Sequence, residues 1–304
     1  MESYRSLFNQ ELLKGKVAII TGGSNGGMLK EIGRAFLLHS ARAVVLMSRN
    51  VEKNGKVAQD LSKFGICHSE PGDVRKPDDC KRVVAETVKR FGQVDILVNG
   101  AAGNFLASAS ALSANGFKTV IEIDTLGTFN MSQAVFNGWM KENGGGVIIN
   151  ISAALHWSGS ALQIHSGSAK AGVDTITKTL AVEWGPSKVR VAGIVPGYIQ
   201  GTEGFERLGD MSTMNNKEKA NAAFEKGTVS SQKEKLEEIA KRTVPVQRFG
   251  VVEDIANCAL FIASPMASYV SGTNIVVDGA ASLIYPNTIF VDQNFVELWA
   301  SAKL

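Results

Sequence analysis

Short apolar runs rich in β-branched residues alternate with longer amphipathic stretches from one end of this chain to the other. That rhythm excludes most architectures. Val17-Ala18-Ile19-Ile20 precedes a Gly-rich turn and a helical pattern through Ile32, Ala35, Phe36 and Leu37. Val44-Val45-Leu46 follows, then a polar helix near 51–64, a short strand ending before Asp73, and a charged helix over 78–91. Val94-Asp95-Ile96-Leu97-Val98 leads to a helix expected over 116–141 and to Gly146-Val147-Ile148-Ile149-Asn150-Ile151. A helix over roughly 163–184, the run from Val189 to Val195 and the strand Ile275-Val276-Val277 complete the series. Continuous apolar strands separated by helices are strands buried on both faces, which is the mark of a parallel sheet. The expected fold is α/β, one doubly wound parallel sheet with helices on both faces and ligands at the carboxyl ends of the strands.

Composition narrows the function classes. A net charge of +3 over 304 residues, with no run of basic residues, argues against nucleic acid or a membrane surface as partner. No apolar stretch reaches the ~18 residues of a membrane span, and residues 1–14 do not resemble a secretory signal. Cys67, Cys80 and Cys258 lack metal-ligand spacing and read as reduced structural thiols, so no metal site is expected. No linker or repeat divides the chain, so 1–304 reads as a single domain. Residues 203–247, polar and rich in Lys and Glu, break the rhythm after a strand end. They read either as a solvated surface helix or as a lid over a substrate cleft, and their position favours the lid.

The loop after the first strand, Gly22-Gly23-Ser24-Asn25-Gly26-Gly27, opens the first helix. Glycines there let the backbone approach a pyrophosphate, which the helix N-terminus favours electrostatically. Arg49 stands after the second strand, where an acid would bind the ribose hydroxyls of NAD; an Arg pairs instead with the 2′-phosphate of NADP. Asp73 is a candidate acceptor for the adenine amino group, or a helix cap. Asn99-Gly100-Ala101-Ala102-Gly103 ends the fourth strand with small residues that leave room for the cofactor, and Pro196 to Thr202 follow the sixth.

Taken together, these features resemble the dinucleotide cleft of the short-chain dehydrogenase/reductase family, over nearly the whole chain. Most members carry a Ser after strand five and a Tyr-x-x-x-Lys on the next helix. This chain has Ser152 and Lys170, but Ser166 stands where the Tyr belongs. A Ser hydroxyl is far less acidic than a phenol, so ordinary ketone chemistry is not expected. One branch lacks that Tyr, the peroxisomal 2,4-dienoyl-CoA reductases. Their pattern is similar to Ala101-Ala102-Gly103-Asn104-Phe105-Leu106, to Ile123-Asp124-Thr125 and the Gly127-Thr128-Phe129-Asn130 beyond it, and to His165-Ser166-Gly167-Ser168-Ala169-Lys170. Leu180-Ala181-Val182-Glu183-Trp184-Gly185-Pro186 extends the match.

The resemblance implies a Rossmann-like fold and NADPH-dependent reduction of a 2,4-dienoyl-CoA to the trans-3-enoyl-CoA. Asp124 and Lys170 would be the catalytic pair, ordering a water that delivers a proton to Cα, with Lys170 also holding the nicotinamide ribose. The cofactor would lie against Gly22, Gly23, Ser24, Asn25, Gly26, Gly27, Arg49, Asp73, Asn99, Pro196, Gly197, Ile199 and Thr202. Arg75, Phe105, Ser113, Asn115 and Arg207 would bind the acyl-CoA, Arg75 and Arg207 at the CoA phosphates and Phe105 along the acyl channel. The plainer readings are surface arginines, a core Phe and a helix cap at Ser113. Ser152 and Ser166 are weaker candidates that could simply satisfy backbone groups, and His156 and His165 read as structural. Ala302-Lys303-Leu304 resembles the Ser-Lys-Leu address read by the peroxisomal import receptor. A homodimer or homotetramer is expected by analogy. Competing readings are another acyl-CoA or carbonyl reductase, or a non-catalytic NADP-binding protein. The latter is motivated by the first loop, which reads Gly26-Gly27-Met28 where relatives have Gly-Ile-Gly. Residues 28–31 look inserted there, so the third glycine's role is either lost or moved to Gly33.

Overall fold

The computed structural model of the protein describes residues 8–23, 26–202, 240 and 244–284. Seven strands form one sheet: β1 (Val17–Thr21), β2 (Ala43–Ser48), β3 (Cys67–Pro71), β4 (Ile96–Asn99), β5 (Gly146–Ile151), β6 (Val189–Pro196) and β7 (Asn274–Val277). Every pairing is parallel, and the spatial order is β3-β2-β1-β4-β5-β6-β7. The order reverses between β1 and β4, so the chain leaves those two strands in opposite directions and opens a crevice at their carboxyl ends. Thr21 pairs with Asn99 and Asn99 with Asn150, which sets the three strand ends that bound the crevice at one level.

Helices cover both faces. α1 (Gly27–Leu38), α2 (Val51–Leu61) and α7 (Val252–Ala263) lie on one side; α3 (Pro77–Phe91), α4 (Ala114–Ile121), α5 (Gly127–Val135) and α6 (Ile164–Trp184) lie on the other. Because side chains alternate along a strand, Ala18, Ile20, Val44 and Leu46 meet Ile32, Phe36 and Leu260, while Val17, Ile19, Val45 and Met47 meet Val83, Met131 and Trp184. Each such fully buried side chain contributes roughly 1.5–3 kcal/mol. Local signals fix the helix ends. The Asn50 side chain accepts from Lys53 N at 2.9 Å to start α2. α3 opens on Pro77 with Asp78 and Asp79 in its first turn, and closes on Gly92 at φ +80° with Lys89 and Arg90 in its last.

The single helix expected over 116–141 is instead a chain of four pieces. α4 passes into a π turn at Glu122–Leu126, continues as α5, and ends in a second π turn at Phe136–Met140. Asp124 sits in the first of these, a geometry often found at functional sites. The altered first loop has a plain resolution. Met28 to Glu31 are helical residues of α1. Gly33 is the glycine that lets this helix pack closely, since a Cβ there would stand 3.1 Å from Leu61 and 3.6 Å from Ile20 and Val44. Of the segment 203–247, only 240 and 244–247 are described; the rest lies outside the described residues, with Ser24, Asn25, Arg207 and 302–304.

Candidate active site

The crevice is wired from below. Thr21 Oγ1 accepts from the N–H groups of Gly100 and Ala101, at 3.1 and 3.2 Å, and so ties the loop after β4 to the end of β1. Gly22, at φ +79°, comes so close to that loop that a Cβ would lie 2.8 Å from Ala101 Cα. Gly26 (φ +66°) has no atom of the described residues within 4 Å of the place a Cβ would take, at the start of α1. The segment after β6 closes on the same loop, since a Cβ on Gly27 would lie 3.3 Å from Gly201 O and 3.5 Å from Thr202 Cγ2. Gly197 donates to Val277 O at 2.9 Å, Ile199 is buried beside Gly250, and Thr202 Oγ1 donates to Ile199 O at 2.8 Å. Pro196 to Thr202 therefore stand over the glycine loop. Asn99 turns both its amide hydrogens away from the cleft mouth, to Ser132 Oγ and Asn150 Oδ1, each at 2.9 Å, while Asn150 donates to Thr177.

An open hollow of about 420 Å³ lies beyond β2 and β3, bounded by exposed Arg49 with Gly72, Asp73, Lys76 and Arg82. Asp73 and Asp79 share its rim with these cations and Arg82 is paired with Glu70 at 2.6 Å, so Arg49 and Lys76 are the cations placed to meet a phosphate. Asp73 is not a free acceptor there. Its carboxylate takes Arg75 Nε at 3.0 Å and Nη2 at 2.6 Å, plus the Arg75 backbone N–H at 3.0 Å. Burial alone would raise the Asp73 carboxyl, but the Arg75 hydrogen bonds and the nearby Arg75 and Arg49 charges hold it below the usual carboxylate range. Arg75, expected at the CoA phosphates, is thus committed to its neighbour in this structure.

At the centre, Lys170 on α6 reaches across to two acceptors. Its Nζ lies 3.0 Å from Asp124 Oδ2 and 2.9 Å from Ile151 O. Asp124 Oδ1 accepts the Gly103 N–H at 2.7 Å, so the carboxylate is engaged on both oxygens and only 1 % exposed. Lys170 keeps one of its three donors uncommitted among the described residues. Ser166, one helical turn earlier, donates to Asn104 Oδ1 at 2.7 Å, and Asn104 donates to Gln163 at 3.2 Å. Of the tyrosines described, Tyr198 packs edge-on to Phe249 and Tyr269 is fully exposed, so neither takes the missing phenol's place. Ser152 donates to Asp174, whose other oxygen is 2.9 Å from His156 Nε2.

Sequence reasoning passed over Asp174, although its i+4 spacing from Lys170 places both on one helix face. Gly103 N–H and Ile151 C=O had no signal at all, because backbone groups are carried by every residue. Among the described residues no group of three or more His, Cys, Asp or Glu could hold a metal. Burial pushes the Cys67 and Cys80 thiols up to about 12 and Cys258 to about 11, so none is a nucleophile at neutral pH.

A second hollow of about 420 Å³ lies between the loop before α4 and the start of α6, lined by Ala109, Leu112, Ser113, Ala114, Phe117 and Ile164. Ser113 caps α4 by accepting from Gly116 N at 3.0 Å, and Asn115 is exposed on the same first turn. Phe105, 40 % exposed, stacks on His165 with ring centroids 4.3 Å apart.

A parallel sheet of this order, a glycine cradle and a helix lysine beside the fourth and fifth strand ends define a nicotinamide-dependent oxidoreductase. The family model described as short chain dehydrogenase matches residues 16–213, and one described as Enoyl-(Acyl carrier protein) reductase matches 225–281. The chain belongs to the short-chain dehydrogenase family, and within it to the group of the peroxisomal 2,4-dienoyl-CoA reductases. It is 43% identical over 291 residues to the peroxisomal 2,4-dienoyl-CoA reductase [(3E)-enoyl-CoA-producing] of Danio rerio, covering 95% of this chain and 89% of that one. The protein of the same name from Rattus norvegicus is also 43% identical, with 95% and 91% covered. A crystal structure of a short chain dehydrogenase from Bacillus anthracis superposes with a TM-score of 0.73 at 36% identity, covering 88% of this chain and 97% of that one.

Proposed function

We propose that this protein reduces 2,4-dienoyl-CoA thioesters to 3-enoyl-CoA with NADPH, in peroxisomes. The observation that carries the reading is the intact Asp124–Lys170 pair beside Ser166, where other family members have a tyrosine. Reducing a ketone makes an alkoxide that needs a phenol-like acid. Reducing a conjugated dienoyl thioester does not, because the charge spreads into a dienolate and the proton goes to carbon. Gly22, Gly26 and Gly27 with the Pro196–Thr202 segment would hold the dinucleotide, and Arg49 and Lys76 the 2′-phosphate. Bound there, the cofactor supplies a hydride for the far end of the conjugated system.

The protein's own part is then to hold a charge and a proton in place. Asp124 holds the Lys170 ammonium in place through their ion pair, and its bond to Gly103 fixes the loop that borders the cleft. The Ile151 carbonyl takes a second Lys170 hydrogen, leaving the third for a ribose hydroxyl or for the water that protonates Cα. Asn104 holds the Ser166 hydroxyl as a donor, so Ser166 does not act as the acid. The hollow beside Phe105 and Ser113 suits the acyl-CoA arm.

The direct test follows NADPH oxidation with 2,4-hexadienoyl-CoA, against acetoacetyl-CoA, crotonyl-CoA and NADH. Turnover confined to the dienoyl thioester and NADPH is expected; turnover of acetoacetyl-CoA would overturn the reading. The import receptor as partner is tested by a fluorescent fusion carrying Ala302-Lys303-Leu304 at its end, and a homodimer or homotetramer by light scattering.

A further inference from the structure

His165, in the first turn of α6, is wholly buried, and neither of its ring nitrogens has a hydrogen-bond partner among the described residues. A neutral imidazole carries one donor and one acceptor, and burying both unpaired is unfavourable. A phenylalanine would fill the same space without that penalty, so packing alone does not account for the residue. The layer on its ring is Phe105, stacked at 4.3 Å with an interplanar angle of 28° and itself 40 % exposed. The chain beside Phe105 is pinned, because Asn104 is held by Ser166 and Gln163. Its ring has no polar atom to pin it; it stacks on His165 and lies near Gly116, where a Cβ would stand 3.2 Å from Phe105 Cζ. Turning about the side-chain bonds would therefore uncover His165 without moving the loop. The hollow lined by Leu112, Ser113, Phe117 and Ile164 lies alongside, since the Cβ place on Gly116 that is 3.2 Å from Phe105 Cζ is also 3.2 Å from Ser113 Oγ and 3.4 Å from Leu112 Cδ1.

We propose that His165 is a concealed hydrogen-bond donor for a carbonyl oxygen of the acyl-CoA arm, uncovered when Phe105 turns aside. The inference rests on the reductase reading and deepens it. A carbonyl fits because the hollow has no charged side chain to hold an anion, and its one polar side chain, Ser113, already caps α4. The thioester and the pantetheine amides both offer that chemistry.

The test measures the Kd of 2,4-hexadienoyl-CoA by equilibrium dialysis on the full-length protein, with two variants. His165→Phe keeps a ring against Phe105 and removes the donor; about tenfold weaker binding is expected, the size of one buried hydrogen bond. His165→Gln keeps a donor and is expected to stay within about threefold of the natural protein. Natural affinity in His165→Phe, or equal losses in both variants, would overturn the proposal. The ethyl thioester of the same acid lacks pantetheine amides and separates the two sources. A kcat/KM gap between the natural protein and His165→Phe that persists with it assigns the thioester carbonyl; a gap that closes assigns an amide. Turnover is scored apart from binding. A natural protein that binds the CoA ester without reducing it sinks the reductase reading and leaves the His165 comparison standing. One that does neither sinks both.

Discussion

Two acid–base pairs border the cleft, and they are built differently. Asp124 and Lys170 are 46 positions apart, come from a π turn and from α6, and are 1 % and 11 % exposed. Asp73 and Arg75 are two positions apart on one loop, and the arginine is 33 % exposed. The first pair joins two elements across the active centre, so losing either partner leaves a buried charge and unfastens Gly103 or the Ile151 carbonyl. The second shapes only its own loop and sits where water can replace the lost partner. Burial and sequence separation, more than the N···O distance, set what an ion pair does for the molecule.

Variants can break this contrast. The largest effects are expected at the central pair. Lys170→Ala and Asp124→Ala should each lower kcat by at least about 100-fold in the NADPH assay. Asp124→Ala should also cost about 3–5 kcal/mol in urea unfolding, because Lys170 is left buried and unpaired. An Asp124→Ala protein with natural stability would mean the pair is not buried in solution. Next comes Gly22→Ala, where a Cβ must press on the Ala101 backbone at positive φ. A loss of about 1–3 kcal/mol is expected in thermal denaturation, with weaker NADPH binding. Arg49→Ala should raise the KM for NADPH by about tenfold and leave that for NADH unchanged.

The smallest effect is expected at Arg75→Ala, and it should depend on pH. The folded Asp73 carboxyl lies below its unfolded value, so its stabilisation is complete above about pH 4 and is lost as pH falls through the folded value. The stability gap between the natural protein and Arg75→Ala should therefore be constant near neutrality and close in acid. A gap that widens in acid would contradict the arrangement.

The sheet was legible because a parallel strand buried on both faces has to be written as an unbroken apolar run. Val17 to Ile20 and Val44 to Leu46 could hardly be anything else. The Asp124–Lys170 pair was legible as residues but not as a structure, since nothing in the letters at 103 or 151 says that those backbone groups will close around it. The π turns left no mark either, because the apolar positions through 116–141 fit a continuous helix well enough. At Asp73 and Arg75 the sequence pattern suggests separate ligands for two side chains that hold each other. Two-residue spacing on a loop permits that contact but does not demand it. The Ser152–Asp174–His156 cluster is hidden for a different reason: Asp174 lies just past the stretch that carries the resemblance, and its partners come from the far end of β5.

The π turn at Glu122–Leu126 has a consequence for how this helix tolerates change. A π turn holds one residue more than an α turn spanning the same hydrogen-bonded step, so it acts as a phase adjuster between α4 and α5. Residues before it answer to the hollow lined by Ser113 and Phe117, and residues after it to the core through Met131 and Val135. With the slack removed, aligning one half would rotate the other by about 100°. Point substitutions on either half should then stay local, whereas deleting a single residue between 122 and 126 should set that hollow and the core in conflict.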